Sequence, residues 1–410
     1  MTALLLALPV ALLTLIWLPL ASVVLYLWLL VTAALLPRRE PGPARRERVF
    51  RVVIPAHNEA LVLDPVLRRL MAVNYPKAKF DVVVVADNCS DDTASIARSC
   101  GARVIERVDL DARGKGHALA YAFTMLRNET FDALVILDAD TLVDPELLSI
   151  FNQYLEAGHR IVQAHYDVLD PFKSQRTALM YIAFRIFNYV RPLGRCAIGL
   201  STGLKGNGMC FAKAVINQYP WKAFSLAEDI EYTTTLLLGG EHIIFAPGAR
   251  VCAQMPAARA QATTQRVRWE AGRFQLARRD GVRLVVQGLR RRDWHIFDWG
   301  MDLIIPPLAA LTVALVGGLV CSAVVAILPQ MEPISWLTRG MMLAWVGLLA
   351  ALLIFVGLAM VVGKLPWRAY RALLNAPGYI GWKFWIYLLM LVRRGPQSWV
   401  RTDRTRILDQ

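Results

Sequence analysis

The stretch FDALVILDADTLVDPELLSIF, Phe131–Phe151, decides the fold. Ala133–Leu137 is a short, continuously apolar run, the pattern of a strand covered on both faces. Asp138 and Asp140 follow at once, flanking Ala139, and Asp144-Pro145 then opens a helix of apolar period. Strand, acidic turn, helix is the repeating unit of a parallel α/β sheet, whose ligands gather at the carboxyl ends of the strands. Two carboxylates two residues apart repel each other unless a cation lies near. Hard oxygens so placed suit Mg²⁺ or Mn²⁺ bridging to phosphate. A solvated turn is the bland alternative for an isolated D-x-D, and the strand-end position favours the ligand role.

The same unit recurs on the amino-terminal side. FRVVIPAHNEA (Phe50–Ala60) is a β-branched strand running into a loop with Asn58 and Glu59. FDVVVVADNCSDDTASIARSC (Phe80–Cys100) repeats strand, polar loop and helix. Asp91 or Asp92 can cap that helix, whereas Asp87 comes too early and is available to a base N–H or a ribose hydroxyl. RGKGHAL (Arg113–Leu119) sets Lys115 between two glycines at a helix start, where anions are favoured. It lacks the G-x-x-x-x-G-K-[ST] spacing of a P-loop, so a kinase or ATPase has no support here. GLSTGLKGNGMCF (Gly199–Phe211) is irregular, glycine-rich backbone suited to lining a cleft. SLAEDIEYTTTLLLGG (Ser225–Gly240) places Glu228 and Asp229 before an apolar-periodic helix. Acids there cap helices routinely, and the functional alternative is a general base for a hydroxyl nucleophile. TTQRVRWEAGRF (Thr263–Phe274) sets Gln265, Arg268 and Trp269 on one helix face at i, i+3 and i+4. On that reading Arg266 and Arg273 fall outside the face and, with Arg278 and Arg279, are free to meet anionic headgroups.

Composition places this domain at a membrane. Of 410 residues, 56% are hydrophobic and only 19% charged, with a net charge of +14. So apolar a chain is expected to carry membrane spans, and its basicity then points to a cytoplasmic membrane face rather than to nucleic acid. Thr2–Leu36 carries no charge and is read as an uncleaved anchor, one tilted helix of about 20–25 residues. Arg38, Arg39, Arg45, Arg46 and Arg48 follow it and mark the cytosolic side. The expected divisions are an anchor at 1–36, a basic linker at 37–48, a globular domain at 49–282, an interfacial helix at 283–302, spans at 303–328 and 341–362, and a cytosolic or interfacial tail at 363–410. The tail's Gly378–Arg394 is short for a span and is broken by Lys383, so it is expected to lie in the interface. Six cysteines without C-x-x-C spacing are expected to be reduced thiols.

In their order, VVIPAHNE, Asp87, the D-A-D of Asp138–Asp140, Glu228-Asp229 and the Q-x-x-R-W of Gln265–Trp269 resemble the membrane-integrated family 2 glycosyltransferases of GT-A fold. Among these the resemblance is to bacterial cellulose, hyaluronan and poly-N-acetylglucosamine synthases, over about residues 49–292. It implies a nucleotide-sugar-binding, Rossmann-like domain on the cytosolic side of the bacterial inner membrane. Asp87 with Glu59 would hold the nucleoside of a UDP-sugar, with Lys115 assisting at the diphosphate or ribose. Asp138 and Asp140 would bind Mg²⁺ or Mn²⁺ and the diphosphate, and Asp229 would be the catalytic base. Gln265 and Arg268 would brace the leaving group, and Trp269 would stack on the acceptor sugar. The outcome expected is inverting, metal-dependent sugar transfer to a growing exopolysaccharide. Two alternatives remain open: one sugar transferred to a membrane lipid such as a polyprenyl phosphate, ceramide or hopanoid, and a non-catalytic sensor or scaffold. Ala227 stands where related synthases often carry threonine. With only about three spans, a partner export subunit or a homo-oligomer would have to complete a secretion channel; nucleic acid is not an expected partner.

Overall fold

Eight strands build one mixed sheet in the computed structural model, which describes residues 2–255, 259–327 and 334–392. Side chains are described for residues 8–255, 267, 269–327 and 335–385. The chain enters through helix α1 (Thr2–Ala33), then alternates β1 (Phe50–Ala56), α2 (Ala60–Met71), β2 (Phe80–Asp87), α3 (Thr93–Ser99), β3 (Arg103–Arg107), α4 (Lys115–Leu126) and β4 (Ala133–Ile136). There follow β5 (Thr141–Val143), α5 (Leu147–Glu156), β6 (Ile161–Leu169), α6 (Gln175–Arg185) and α7 (Arg191–Ala197), with one π-helical turn at Ile186–Val190. Then come β7 (Met209–Ala212), α8 (Lys213–Gln218), α9 (Glu228–Leu238), β8 (Ile243–Gln254) and α10 (Arg259–Leu276). The strand order is β3-β2-β1-β4-β7-β6-β8-β5.

The parallel half behaves as its sequence dictates. Strands β3, β2, β1 and β4 are mutually parallel, and the apolar residues of β2, β1 and β4 are almost all buried, whereas β3 is a largely exposed edge strand. Asp87 ends β2, Asn58 and Glu59 follow β1, and Asp138 follows β4, so the polar loops share one edge. The other half supplies the antiparallel pairs of a sheet that is, as expected, mainly parallel. β7 runs antiparallel to both β4 and β6, and β5 antiparallel to β8, so the sheet is mixed.

Three described helices are long and apolar enough to cross a membrane: Leu8–Ala33 in α1, α13 (Leu308–Ile327), and Ser335–Val362 in α14 (Ile334–Val362). α1 is continuous over 32 residues despite Pro9 and Pro19, longer than the expected 20–25. α14 begins seven residues before the expected 341, so part of the anticipated loop is helical. Trp17 and Trp28 on α1 donate indole N–H bonds of 3.2 and 3.1 Å to the Ala344 and Ala351 carbonyls of α14. The expected single helix over 283–302 is instead a pair, α11 (Val282–Arg291) and α12 (Trp294–Ile304). Arg292 turns left-handed between them and Asp293 caps α12. Gly288 and Gly300 let the two backbones touch, where a Cβ would lie 2.4 Å from Phe297 N and 2.6 Å from Val285 N. The chain continues with α15 (Trp367–Ala372) and α16 (Ala376–Val392), and α16 packs on α13. All six cysteines are free thiols.

A buried ionic clamp joins the span, the sheet domain and the helix pair. On α7, Arg195 donates to Asp298 Oδ2 at 2.8 Å, to Asp302 Oδ1 at 2.6 Å and to the Tyr26 hydroxyl of α1 at 2.7 Å. Arg191 also donates to Asp302, and the Tyr26 hydroxyl donates to Asp298. Asp302 is fully buried and Arg195 is 1% exposed. The i, i+4 spacing of Arg191 and Arg195 on one helix meets the i, i+4 spacing of Asp298 and Asp302 on the other. Gly194 lies between the arginines because α1 passes directly over it: a Cβ there would sit 2.0 Å from the Leu30 carbonyl oxygen.

Three outcomes follow from this packing. Asp302→Asn takes from Arg191 its carboxylate partner and from Arg195 one of two in a dry site, and is expected to cost on the order of 3–5 kcal/mol, read as a lower denaturation midpoint in detergent. Gly194→Val forces α1 away and should cost about 1–3 kcal/mol. Gly317→Ala on α13, where a Cβ meets nothing within 4 Å, should leave the melting temperature nearly unchanged.

Candidate active site

A cavity of about 830 Å³ opens at the carboxyl ends of β1, β2 and β4. Its wall includes Glu59, Asp87, Lys115, Asp138, Asp140, Asp229 and Trp269. Seven positions singled out in the sequence, far apart along the chain, therefore meet in one space. The cavity does not stop at the sheet. It also reaches Leu27 of α1, the Ile305–Leu308 entry to α13, and Tyr379 and Lys383 of α16.

Each side chain is positioned by identifiable local chemistry. Asp87 is 4% exposed, and its Oδ1 accepts from Arg107 Nη1 at 2.6 Å and from Asn88 Nδ2 at 3.1 Å. It is paired with Arg107 while lining the cavity. The Glu59 backbone N–H donates to Thr93 Oγ1 at 2.8 Å, which docks the loop after β1 on the start of α3. Asp91 accepts from the Thr93 N–H at 3.0 Å, one of the two capping roles foreseen. Asp92 occupies the cap position without a side-chain cap bond.

Lys115 begins α4 after Gly114, whose φ of +114° favours glycine. Its Nζ sits 2.5 Å from Asp138 Oδ1 and 3.6 Å from Glu228, and donates to the Gly206 carbonyl. Burial opposes its charge, but Asp138, Glu228 and Asp229 more than offset that and raise its pKa. Desolvation raises both Glu228 and Asp229 above ordinary carboxylates, with Lys115 opposing the rise in each. Gly206 (φ +75°) lies beside this group, where a Cβ would be 3.5 Å from Asp229 Oδ2 and 3.8 Å from Lys115 Nζ.

The glycine-rich segment is buried and well tied, unlike an ordinary flexible loop. Asn207, fully buried, accepts the Asp138 N–H at 3.2 Å and donates to Thr141 Oγ1 at 2.7 Å. Gln163 accepts from the Lys205 N–H at 2.9 Å and donates to the Asn207 carbonyl at 2.8 Å. Leu204 N–H donates to Thr233 Oγ1 of α9 at 3.0 Å. The loop thus fixes the D-A-D turn and the helix carrying Asp229 relative to each other. Trp299 Nε1 donates to Thr234 Oγ1 at 2.9 Å, joining α9 to the helix pair.

α10 places Trp269 on the cavity wall, half-buried and tilted 31° to the Phe184 ring at 6.4 Å. The side chains of Gln265 and Arg268 lie outside the described residues. Arg273 corrects the expected division of the arginines. It lines the cavity, donates to the Asp302 and Ile305 carbonyls, and rests 5.2 Å from the Phe187 ring. Arg279 pairs instead with Asp280 and Glu231. Sequence reasoning also missed Lys205 and the clamp. The matched i, i+4 spacings of RPLGR (Arg191–Arg195) and DWGMD (Asp298–Asp302) were the available signal.

Among the described residues, no three His, Cys, Asp or Glu side chains group to hold a metal by themselves. Asp138 and Asp140 offer hard oxygens on one wall, part of a coordination shell that a diphosphate and water would complete.

The profile described as "Glycosyltransferase like family 2" matches residues 47–272. The chain is 28% identical over 234 residues to the probable glycosyltransferase YdaM of Bacillus subtilis, covering 54% of each. It is 24% identical over 244 residues to a poly-beta-1,6-N-acetyl-D-glucosamine synthase of Staphylococcus aureus, covering 56% of this chain and 55% of that one. It spans about half the length of these curated relatives. Among solved structures it is similar to the mannosyltransferase PcManGT of Pyrobaculum calidifontis, in complex with GDP-Man and Mn²⁺, with a TM-score of 0.55 and 18% identity over 88% of this chain and 99% of that one. That likeness supports the GT-A fold expected from the sequence. With the profile spanning more than half its length, this chain belongs to the family 2 glycosyltransferases.

Proposed function

We propose that the protein transfers a sugar, with inversion, from a UDP-sugar to an acceptor presented by the membrane, with the sheet domain on the cytosolic side. The observation that carries this is the continuity of the cavity, from the strand ends to the entry of α13. A water-soluble donor enters at one end and a membrane-borne acceptor at the other. Asp87 and Glu59 would hold the nucleoside, and Lys115, Gln265 and Arg268 the diphosphate. Asp138 and Asp140 would hold Mg²⁺ or Mn²⁺, which neutralises charge on the departing diphosphate when bound.

The chemistry needs one base. Asp229 takes the proton of the acceptor hydroxyl as its oxygen bonds to the anomeric carbon. The bond from that carbon to the diphosphate breaks with its electron pair leaving on UDP. Attack opposite the leaving group gives inversion. Lys115 keeps Asp138 and Glu228 in place and stabilises the anionic form of Asp229. Trp269 offers a face to the acceptor. Similarity to a poly-beta-1,6-N-acetyl-D-glucosamine synthase supports an exopolysaccharide acceptor. The apolar cavity wall formed by Leu27, Met180, Phe184 and Leu308 favours the second reading, a membrane lipid. Product sizing separates a polymer from one sugar on a lipid.

Asp229→Asn and Asp140→Asn are each expected to lower transfer at least about 10²-fold while the protein still inserts and folds. Chelation of divalent metal should do the same reversibly. UDP release across a panel of UDP-sugars, beside GDP-mannose, reads both, and full activity in either variant would sink the assignment. The pH profile carries a second check. A base with a raised pKa becomes protonated as pH falls through that pKa. The acidic limb of kcat/KM should therefore lie above the ordinary carboxylate value of about 4. An acidic limb at or below that ordinary value would remove Asp229 as the base.

A further inference from the structure

Beyond Asp229 the cavity changes sign. Arg191, Arg273 and Lys205 line the wall; with Arg195 buried behind them they are four cations against two buried carboxylates, Asp298 and Asp302. Both aspartates are held by the arginines and Tyr26. Lys205 is left over. It is 9% exposed, lines the cavity, and rests its Nζ 3.8 Å from the centre of the Phe187 ring. Among the described residues its Nζ makes no hydrogen bond or ion pair. Asp229 faces it from the donor side but is already shared with Lys115. An ammonium taken out of water without a partner is costly. The group shows that cost: burial, with the three arginines, outweighs the opposing pull of Asp302 and pushes its pKa down to about 7. The arginine next to it, Arg273, is pushed down to about 10 for the same reason.

An excess of buried positive charge facing a cavity is the arrangement an oxyanion would relieve, and the wall beside it narrows the choice. Phe187, Phe184, Met180, Leu27 and Leu308 continue from Lys205 towards the spans and suit an acyl or prenyl tail, not a hydrated glycan.

We propose that Lys205, backed by Arg273 and Arg191, is an anion subsite for a phosphate carried by the acceptor, and that the acceptor is a phosphate-bearing membrane lipid. The phosphate anchors and does not react. It fixes a neighbouring hydroxyl at Asp229, and that hydroxyl oxygen displaces UDP as above. Lys205 is thus a binding residue for the acceptor, distinct from the diphosphate set around Lys115. The assignment rests on the transferase reading for the donor half.

The test uses the full chain, purified in neutral detergent and stripped of lipid. Retention of phosphatidylglycerol, of diacylglycerol and of soluble glycerol phosphate is compared by native mass spectrometry, with UDP binding measured in parallel. The wild-type protein should hold phosphatidylglycerol roughly tenfold to a hundredfold more tightly than diacylglycerol. Lys205→Met should lose that preference and Lys205→Arg should recover most of it. Because the lysine is unpaired, Lys205→Met should melt at or above the wild-type temperature, whereas a structural role would lower it. A Lys205→Met protein that binds UDP and still prefers phosphatidylglycerol overturns the subsite. Equal affinity for glycerol phosphate and phosphatidylglycerol overturns the lipid source. A shift in the pH profile of transfer without loss of lipid preference would make Lys205 only a counter-charge to Asp229, and would also overturn it. Failure of the wild-type protein to bind UDP would strike the donor reading and leave the lipid comparison decisive for this one.

Discussion

The clamp on Asp298 and Asp302 sets the geometry on which the rest depends. Carboxylates and guanidinium groups without water are tolerated only when each is held by the other. Three elements must therefore meet at one point: the membrane helix through Tyr26, α7 through Arg191 and Arg195, and α12 through its two aspartates. From α12, Trp299 reaches α9 and so Asp229. The position of the candidate base relative to α1 is thus fixed by hydrogen bonds, not by a flexible linker. Hydrophobic packing alone would let α1 slide or rotate, since lipid satisfies a leucine as well as protein does.

The cavity is polarised along its length. At the strand ends carboxylates outnumber cations, with Lys115 facing Asp138, Glu228 and Asp229. Near α12 cations outnumber carboxylates. Each end is incomplete by itself and complementary to a different class of ligand: a cation with a diphosphate at one, an anion at the other.

Much of the donor half was legible in sequence because strand ends are local events. A run such as VVVVAD states both the strand and the residue that leaves it. The parallel part of the sheet follows from the same pattern, and the spans from length and apolarity. Three things were not legible. The antiparallel strands β7 and β5 are too short to show a period. The turn at Arg292 lies within a basic run that reads as one helix. Arg273 and Lys205 look like surface cations, since only a tertiary neighbour such as Phe187 reveals a buried one. The clamp was half-visible, as two i, i+4 pairs of opposite sign whose encounter no single-sequence period encodes.

Tyr26 and Asp298 are 272 residues apart. At a synthesis rate of about 5–20 residues per second, α1 leaves the ribosome roughly a quarter of a minute to a minute before its partner helix exists. Over that interval Gly194 and Arg195 emerge before either aspartate does. The order of the message thus supplies the first partner of Tyr26 early and the last late: the clamp cannot close until nearly three quarters of the chain has been made.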